Sequence, residues 1–328
     1  MDINDIFKAF NNLKVLVIGD VMIDAYYWGK VERISPEAPV PIVAVNKKEN
    51  RLGGAANVAI NVQALGAQPI LCSIVGNDEN ATLLVNLLKQ QGLSSEGIIK
   101  SEQRTTTVKT RIIGNNVQMI RIDEELDDNI SIDESRKLVN HIETLINKEK
   151  IDVIIFEDYD KGAITPLVIE EISRVAKEKG IPVAVDPKKR NFLNYRNITL
   201  FKPNLKELKE GIKHDFDHKS IETLSEVVKE FQQKQNIEIS LVTLSELGIY
   251  VSNHASHKHI PAHIRNIADV SGAGDTVISV AALCLALKLS HEQIATLANL
   301  AGGLVCEKVG VVSIDKQLLL EEALNLYN

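Results

Sequence analysis

Short apolar runs rich in β-branched residues alternate along this chain with longer stretches in which apolar residues recur every three to four positions. Such pairs occur at 14–18 and 55–65, 69–75 and 81–91, and 151–156 and 166–179, and further short runs follow at 183–185, 199–201 and 239–244. Strands that alternate with helices are typical of βαβ units. The pattern therefore predicts an α/β fold in one domain, residues 1–328, with a largely parallel sheet and helices on both faces.

Two stretches depart from this alternation, at about 25–46 and 104–122, where extended patterns occur without an intervening helix. Asn115-Asn116 separates two of these runs in the manner of a hairpin turn. We expect the two stretches to form a small β-sheet beside the main one. Such a sheet could act as a lid that excludes water from a reaction, or as a dimerisation surface, and one lid can serve both purposes.

The charge and composition of the chain favour small molecules as its partners. The 328 residues include 37 Lys and Arg against 44 Asp and Glu, a formal net charge of −7, so no positive field attracts nucleic acid or an anionic membrane. The acidic start lacks the features of a signal peptide, and the apolar run 277–287 is about half the ~20 residues that span a bilayer. We expect a cytoplasmic protein in which Cys72, Cys284 and Cys306 are reduced core thiols.

The segment 269–276, Asp-Val-Ser-Gly-Ala-Gly-Asp-Thr, carries the strongest chemical signal. A helix that begins at about Ala273 would direct free backbone N–H groups and its positive dipole end at an anion, and the glycines would let the anion approach closely. Asp275 would then lie beside that anion. A carboxylate there suits removal of a proton from a hydroxyl that attacks a phosphate, so the segment predicts phosphoryl transfer.

A second glycine-rich segment, Gly53-Gly54-Ala55-Ala56-Asn57, opens the helix predicted at 55–65. The glycines allow close approach of a ligand, and the Asn57 amide can bridge two hydroxyl groups; tight packing alone is the alternative.

Neither GxGxxG nor GxxxxGK[ST] occurs, which disfavours a dinucleotide fold and a P-loop. Asp20 and Asp24 follow the first strand, where open sheets bind ligands, and either could accept hydrogen bonds from sugar hydroxyls; a helix or turn cap is the alternative, and Asp24 is the favoured candidate.

These two segments, GGAANVA and DVSGAGDT, resemble the motifs of the ribokinase-like, or PfkB, family of carbohydrate kinases. The resemblance implies a three-layer α/β sandwich with a mostly parallel central sheet and a β-lid. It implies ATP as phosphoryl donor, Asp275 as the base for the accepting hydroxyl, and the backbone amides of Gly272, Ala273 and Gly274 as an anion hole. It also implies a homodimer formed through the lid.

Weaker matches to the same family concern the nucleotide. Asn204 and Glu207 match an Asn-x-x-Glu element that helps to place Mg²⁺-bound phosphates, with Glu207 acting through a water. The turn that contains Thr243, Glu246 and Gly248 and the position of Asn299 are similar to nucleotide-contacting positions. For each of these residues a helix cap or a satisfied core polar group is the alternative. The resemblance leaves open a K⁺ site near Asp269 and 306–313.

Within the family, the stretch 33–42, Arg-Ile-Ser-Pro-Glu-Ala-Pro-Val-Pro-Ile, resembles the lid of the D-glycero-β-D-manno-heptose-7-phosphate kinases, which make lipopolysaccharide precursors. The motifs at 158–162 and 186–188 are similar as well. The subgroup usually has glycine after its Asp-Pro-Lys motif, where this chain has Lys189. In many organisms the kinase is fused to a nucleotidyltransferase, and since this chain stops at Asn328 a separate transferase is expected.

A substrate that already carries a phosphate needs cationic partners. The candidates on the lid-like stretch are Arg104, Lys109, Arg111 and Arg121, any of which could instead lie on a solvated face. Lys161 and Lys188 are better placed, since they follow predicted strands. The residues expected to bind the sugar phosphate are then Asp24, Gly53, Gly54, Asn57, Arg121, Asp158, Lys161 and Lys188.

Two other functions remain compatible with the sequence. The chain could phosphorylate another sugar or sugar phosphate, such as a ketohexose phosphate or ribose, or it could be a sensor that binds ATP without consuming it. The presence of Asp275, Asn204 and Glu207 disfavours the sensor. The histidines at 254, 257, 259 and 263 lack metal-binding spacing, which disfavours a metal site there.

Overall fold

The computed structural model describes residues 1–216, 220–263 and 265–327. Its strands are β1 (Lys14–Gly19), β2 (Val21–Ile34), β3 (Pro41–Gly54), β4 (Gln68–Gly76), β5 (Ile98–Ser101), β6 (Val108–Gly114), β7 (Val117–Glu124), β8 (Val153–Glu157), β9 (Val183–Asp186), β10 (Leu200–Phe201), β11 (Ile239–Thr243), β12 (Ile249–Asn253) and β13 (His257–Ile260). Its helices are α1 (Ile3–Ala9), α2 (Ala55–Ala64), α3 (Glu79–Gln90), α4 (Ile132–Lys148), α5 (Pro166–Lys179), α6 (Leu205–Ile212), α7 (Ile221–Gln235), α8 (Ala273–Ala286), α9 (His291–Cys306) and α10 (Lys316–Tyr327).

A nine-stranded sheet in the order β13-β12-β11-β10-β9-β8-β1-β4-β5 forms the centre of the molecule. The strands from β11 to β5 in this order run parallel, whereas β12 and β13 pair antiparallel at one edge. The register aligns Gly19 with Glu157 and Glu157 with Asp186. The carboxyl ends of β1, β8 and β9 therefore lie side by side along one edge of the sheet.

Apolar side chains of the central strands alternate between two hydrophobic cores. Val15 and Val17 of β1 pack with helices α1, α2, α3, α8, α9 and α10 on one face, and Leu16 and Ile18 pack with α4, α5, α6 and α7 on the other. This alternation follows from the two-residue period of a strand. Strands that are buried on both faces explain the continuous apolar runs in the sequence, and the result is a three-layer sandwich.

Most helix starts are fixed by local side chains. Ser131 and Glu134 form a capping box at α4, and Thr165 caps α5, which has Pro166 at its first position. Helix α8 is different because its preceding residue is Gly272, at φ 79°, and no side chain caps it. No capping side chain therefore competes with a ligand for the first backbone N–H groups, although that of Ala273 donates to the Val270 carbonyl at 3.3 Å.

A second sheet, in the order β3-β2-β6-β7, forms the lid. It extends beyond the predicted stretches, because β2 starts at Val21 and β3 continues to Gly54. Strands β2 and β6 pair in parallel, and β6 and β7 are joined by Asn115 and Asn116 at φ 52° and 64°, which a tight hairpin turn requires. Since β3 leads directly into α2, the lid is joined to the central sheet at the glycines before Asn57.

The most apolar helices belong to the core. Nearly every residue of α8 from Asp275 to Leu285 is buried, and α9 is buried over most of its length. Across the described ranges, no helix combines the length and apolar character needed to cross a bilayer. Cys72, Cys284 and Cys306 are buried free thiols.

Candidate active site

Polar and charged side chains gather where the parallel strands end. Asp20 follows β1, Tyr159 follows β8, Asp186 ends β9 and Lys202 follows β10. Helix α8 runs up to the same edge and contacts β8 and β9. This is the edge at which open α/β sheets place their ligands.

Asp275, in the first turn of α8, lies at the centre of this group and is 6 % exposed. The Asn57 side-chain amide donates to its Oδ2 at 2.6 Å, and the Tyr159 hydroxyl donates to its Oδ1 at 2.8 Å. Burial raises the pKa of Asp275 to about 6, although the hydrogen bonds from Asn57 and Tyr159 act against that rise. A carboxylate of this kind is ionised at neutral pH and can still take up a proton during a reaction.

Gly272, Ala273 and Gly274 form a cradle beside Asp275. The positive φ of Gly272 suits glycine, and a side chain there would crowd the Asn57 amide at 3.2 Å. A Cβ on Gly274 would lie 3.6 Å from Lys202 Nζ and 3.7 Å from Asp186 Oδ2. The ammonium of Lys202 thus lies next to the first turn of α8, where the helix dipole already favours an anion.

Three buried charged groups surround the base. Lys202 and Asp186 form an ion pair at 2.7 Å with side chains 3 % and 5 % exposed. Burial together with Asp186 and Asp275 raises the pKa of the Glu157 carboxyl well above its usual range. One oxygen each of Glu157 and Asp186 is buried without a hydrogen-bond partner among the described residues, so this part of the site keeps free acceptor capacity.

Asn204 and Glu207 are found where a helix begins. Each caps the other across the start of α6, with the Asn204 side chain accepting from the Glu207 N–H and the Glu207 carboxylate accepting from the Asn204 N–H, both at 2.8 Å. The remaining oxygen of Glu207 pairs with Lys188. Because both carboxylate oxygens are engaged, a Mg²⁺ carried by phosphates fits here only through water, as this ion prefers.

The other predicted nucleotide positions lie beside α6 and at the far end of the sheet. Thr243 ends β11 and bridges to Asn204, Glu246 is exposed in the following turn, and Gly248 has φ 91°. A side chain on Gly248 would collide with the Ile260 carbonyl, so the turn requires glycine. Asn299 of α9 donates to the Pro261 carbonyl at 2.9 Å. The structure therefore places these residues around the strand ends beyond β10.

Asp24, Gly53 and Gly54 lie at the base of the lid. Asp24 is buried and pairs with Arg111 at 2.5 Å, and the space that a Gly53 side chain would need is filled by the Asp24 carboxylate. Gly54 is at φ 60°, with the Asp20 carbonyl where a side chain would start. The glycines thus bring β3 close to Asp24 directly before the helix that carries Asn57.

The loop after β8 is held by buried acids. Asp20 accepts hydrogen bonds from the backbone N–H groups of Tyr159, Lys161 and Ala163 at 2.9 to 3.1 Å. Asp158 is fully buried and accepts from Asn191 and Tyr195, both at 3.0 Å. A direct contact between Asp158 and a substrate is therefore no longer expected, because its carboxylate is enclosed on the side away from Asp275.

The basic residues proposed for a substrate phosphate differ in their surroundings. Arg104 donates to the backbone carbonyls of Leu126, Asp128 and Lys161, which gives it a structural role. The ammonium of Lys161 pairs with Glu125 at 2.7 Å, and Lys109 pairs with the same carboxylate. Arg121 lies half exposed on β7 and pairs with Asp123. Lys188 contacts a neighbour of the base, since its ammonium lies 5.5 Å from the ring centroid of Tyr159, which donates to Asp275.

A cavity of about 850 Å³ lies elsewhere, at the amino ends of β8 and β9. It is open to solvent and is lined by the last turns of α5 and α8, including Lys177, Lys179 and Lys288. Lysines at helix carboxyl ends neutralise the helix dipole, so their presence there has a structural explanation. No group of three potential metal ligands occurs in the part of the chain that the structure describes.

Sequence reasoning missed four residues of the site as individual participants: Glu157, Tyr159, Asp186 and Lys202. Tyr159 and Asp186 lie within quoted motifs, but nothing in those motifs says which way the side chains point. Lys202 directly precedes the Pro203-Asn204 pair. Their common signal is that each one lies at or just after the end of a buried strand, where parallel packing brings polar residues together.

A ribokinase-like sandwich in which a buried carboxylate lies at a glycine-rich helix start defines a phosphotransferase that acts on an alcohol group. The chain belongs to the pfkB family of carbohydrate kinases, whose model matches residues 12–317. The fold agrees with this: phosphofructokinase-2 from Escherichia coli in complex with potassium superposes with a TM-score of 0.77 at 17 % identity, over 96 % of this chain and 99 % of that one. Arabidopsis thaliana ribokinase complexed with ribose and ATP gives 0.71 at 17 % identity, over 94 % and 98 %.

More similar in sequence are two proteins called bifunctional protein HldE. The protein from Citrifermentans bemidjiense is 38 % identical over 324 residues, 98 % of this chain, and the one from Geobacter sulfurreducens is 38 % identical over 316 residues, 95 % of this chain. The chain spans 65 % and 63 % of the length of these relatives. The sequence-based prediction of a PfkB sugar kinase is confirmed by these comparisons.

Proposed function

We propose that this kinase transfers the γ-phosphoryl group of ATP to the anomeric hydroxyl of D-glycero-D-manno-heptose 7-phosphate, a step toward ADP-heptose and the lipopolysaccharide core. The observation that carries the phosphoryl-transfer chemistry is the buried Asp275 carboxylate beside the uncapped start of α8. The choice of sugar is supported by the lid stretch 33–42 and by the similarity to bifunctional HldE proteins.

In the proposed reaction, Asp275 accepts the proton of the attacking hydroxyl. The N–H groups of Gly272, Ala273 and Gly274 hold the charge that develops on the transferring phosphoryl, and Lys202 adds a positive charge beside them. Such preorganised donors stabilise the transition state more than the ground state. Mg²⁺ bound to the phosphates would neutralise part of their charge, with Glu207 as a water-mediated partner.

The nucleotide would lie between α6 and α9. We assign its contacts to Asn204, Glu207, Thr243, Glu246, Gly248 and Asn299. Asp269 accepts hydrogen bonds from the backbone N–H groups of Ser271 and Gly310, and the Cys306 carbonyl lies next to Ala268 and Asp269. These oxygen atoms lie next to the cradle and are the kind of ligand that K⁺ binds. We propose a K⁺ site there.

The sugar phosphate would lie between α2 and the lid. Asn57 contacts the base directly, and Asp24, Gly53 and Gly54 form the adjoining wall. Lys188 is the first candidate for the 7-phosphate, because Asp186 and Glu207 raise its pKa against the effect of burial and keep it charged. Lys161 and Arg121 are further candidates; like Lys188, which pairs with Glu207, each would have to exchange a carboxylate for the phosphate.

We also propose a homodimer formed through the lid. All eight residues of the edge strand β7 are exposed, and they include Val117, Met119, Ile120 and Ile122. An exposed apolar edge strand invites pairing with another chain. Two lids packed together would bury these side chains while each lid remains attached to its own site.

The test is ATP consumption with Mg²⁺ against D-glycero-D-manno-heptose 7-phosphate, the unphosphorylated heptose, ribose, fructose 6-phosphate and fructose 1-phosphate, with the product identified by ³¹P NMR. We expect strong preference for the heptose phosphate and a new anomeric phosphate signal. Preference for another sugar would reject the substrate and keep the kinase mechanism. ATP binding without turnover on any acceptor would favour a sensor.

A further inference from the structure

Both oxygens of the Asp275 carboxylate have a donor in this structure. Asn57 donates to Oδ2 at 2.6 Å and Tyr159 donates to Oδ1 at 2.8 Å. A carboxylate oxygen can accept two hydrogen bonds, so these contacts orient the group and leave a lone pair for an incoming hydroxyl. Asn57 belongs to a segment that is already proposed to bind a ligand, whereas no role has yet been assigned to Tyr159.

The position of Tyr159 is fixed from several directions. Its backbone N–H donates to Asp20, which also binds the N–H groups of Lys161 and Ala163 and is 2 % exposed. The ammonium of Lys188 lies over its ring at 5.5 Å from the centroid. A side chain held in this way is suited to orient a reacting group, since little freedom remains to be lost on binding.

The charges around Asp275 come from each strand end packed against it: Glu157 from β8, Asp186 from β9 and Lys202 from β10. Burial raises the pKa of Asp275 and Asp186 adds to the rise, whereas Asn57, Tyr159 and Lys202 lower it. Burial and the nearby carboxylates hold the pKa of Tyr159 itself well above its usual range. The Tyr159 hydroxyl therefore stays protonated and donates to Asp275.

We propose that Tyr159 is a positioning residue for the catalytic base: its hydroxyl orients the Asp275 carboxylate toward the acceptor hydroxyl and stabilises its ionised form. This inference rests on the proposed function, in which Asp275 takes the proton. It gives the motif at 158–162 a role that its sequence alone does not reveal. Asp20 supports that role by holding the loop, and Asp158 anchors its start.

The chain supplies a matched control. Tyr195 donates to Asp158 Oδ2 at 3.0 Å, so it is also a tyrosine bound to a buried carboxylate, but that carboxylate is enclosed away from the cradle. Tyr159→Phe and Tyr195→Phe remove the same atom from two comparable hydrogen bonds. Only the first change should alter the base.

The first experiment compares the pH dependence of kcat/KM for the heptose phosphate between pH 5 and 9 in the wild type and both variants. Loss of a hydrogen bond to a charged group changes the pKa of that group by about one unit. In Tyr159→Phe the acidic limb should move upward by about one pH unit, so that activity falls about fivefold at pH 6, about tenfold well below pH 6, and hardly at all at pH 9. In Tyr195→Phe the limb should not move. An unmoved limb in Tyr159→Phe, or an equal loss at every pH, would overturn the proposal.

The second experiment needs no substrate. Protein labelled with ¹³C at the aspartate carboxyl carbon is titrated by NMR, and the Asp275 signal is assigned by its absence in Asp275→Asn. Its midpoint should be higher in Tyr159→Phe than in the wild type, and equal midpoints would reject the role of Tyr159. If the wild type phosphorylates no sugar tested, the proposed function fails while this titration still decides the inference.

Discussion

The strand-end site and the lid handle charge in opposite ways. Lys202 and Asp186 are almost fully buried and lie beside the first turn of the buried helix α8. Apart from the pair between Asp24 and Arg111, ion pairs of the lid such as Arg121 with Asp123 and Arg51 with Glu49 are partly exposed. Buried charges interact strongly in a low dielectric and preorganise a site, whereas exposed pairs contribute little and exchange partners easily. The strand-end site therefore holds its charges in fixed positions, whereas the lid has ion pairs that could rearrange, as the proposed closure on a substrate would require.

Apart from loss of the base itself, the largest effect should come from filling the cradle. In Gly274→Ala the added Cβ meets only ordinary contacts, at 3.6 and 3.7 Å, so the protein should fold normally. The methyl group would occupy the place of the phosphoryl, and displacement by about 1 Å can lower turnover on the order of 10²-fold. Steady-state kcat together with thermal unfolding checks this. Unchanged turnover in a normally folded variant would remove Gly274 from the cradle.

The pH dependence of the wild-type reaction should be determined by the strand-end site, where Asp275 is the base, and not by the lid. The pKa of Asp275 is raised to about 6, and the base works only when it is ionised. Activity should therefore be constant well above pH 6 and should fall about tenfold for each pH unit below it. A pH profile of kcat/KM, which reflects the free enzyme, in buffers of constant ionic strength tests this, and an acidic limb near pH 4 would contradict the assignment.

A change at the base of the lid should affect sugar recognition instead. In Gly53→Ala the new methyl group collides with the Asp24 carboxylate, which must then move. We expect KM for the sugar phosphate to rise about tenfold, equivalent to about 1.4 kcal/mol, with KM for ATP unchanged. A comparable rise in both KM values would mean that the two regions are not separate in function.

The smallest effect on turnover is expected from the outer face of the lid. Ile120→Asp places a charge on the exposed strand β7, where it would be buried in a lid-mediated dimer. Sedimentation at micromolar concentration should show dimer for the wild type and monomer for the variant. Leu193→Asp, which alters an exposed leucine outside the lid, is the control. Monomer for the wild type would reject the proposed dimer.

Local signals in the sequence predicted much of the fold. The glycines and the apolar run after Gly274 indicated a helix from Ala273, where α8 begins. Helix α4 was not anticipated, although the capping pair Ser131 and Glu134 and its amphipathic pattern were readable. The contact of Tyr159 with Asp275 spans 116 residues and depends on how neighbouring strand ends align. Such contacts follow from register and side-chain direction, which periodicity does not determine.

The most direct test makes the same isosteric change in both regions, with kcat, both KM values and ATP affinity measured for each variant. Asp275→Asn should leave ATP binding nearly intact and lower kcat by ~10²–10⁴-fold, the usual contribution of a general base. Asp24→Asn should raise KM for the sugar phosphate and leave kcat within a few-fold of the wild type. Near-normal turnover in Asp275→Asn would contradict the assignment of Asp275 as the base, and with it the account of this site.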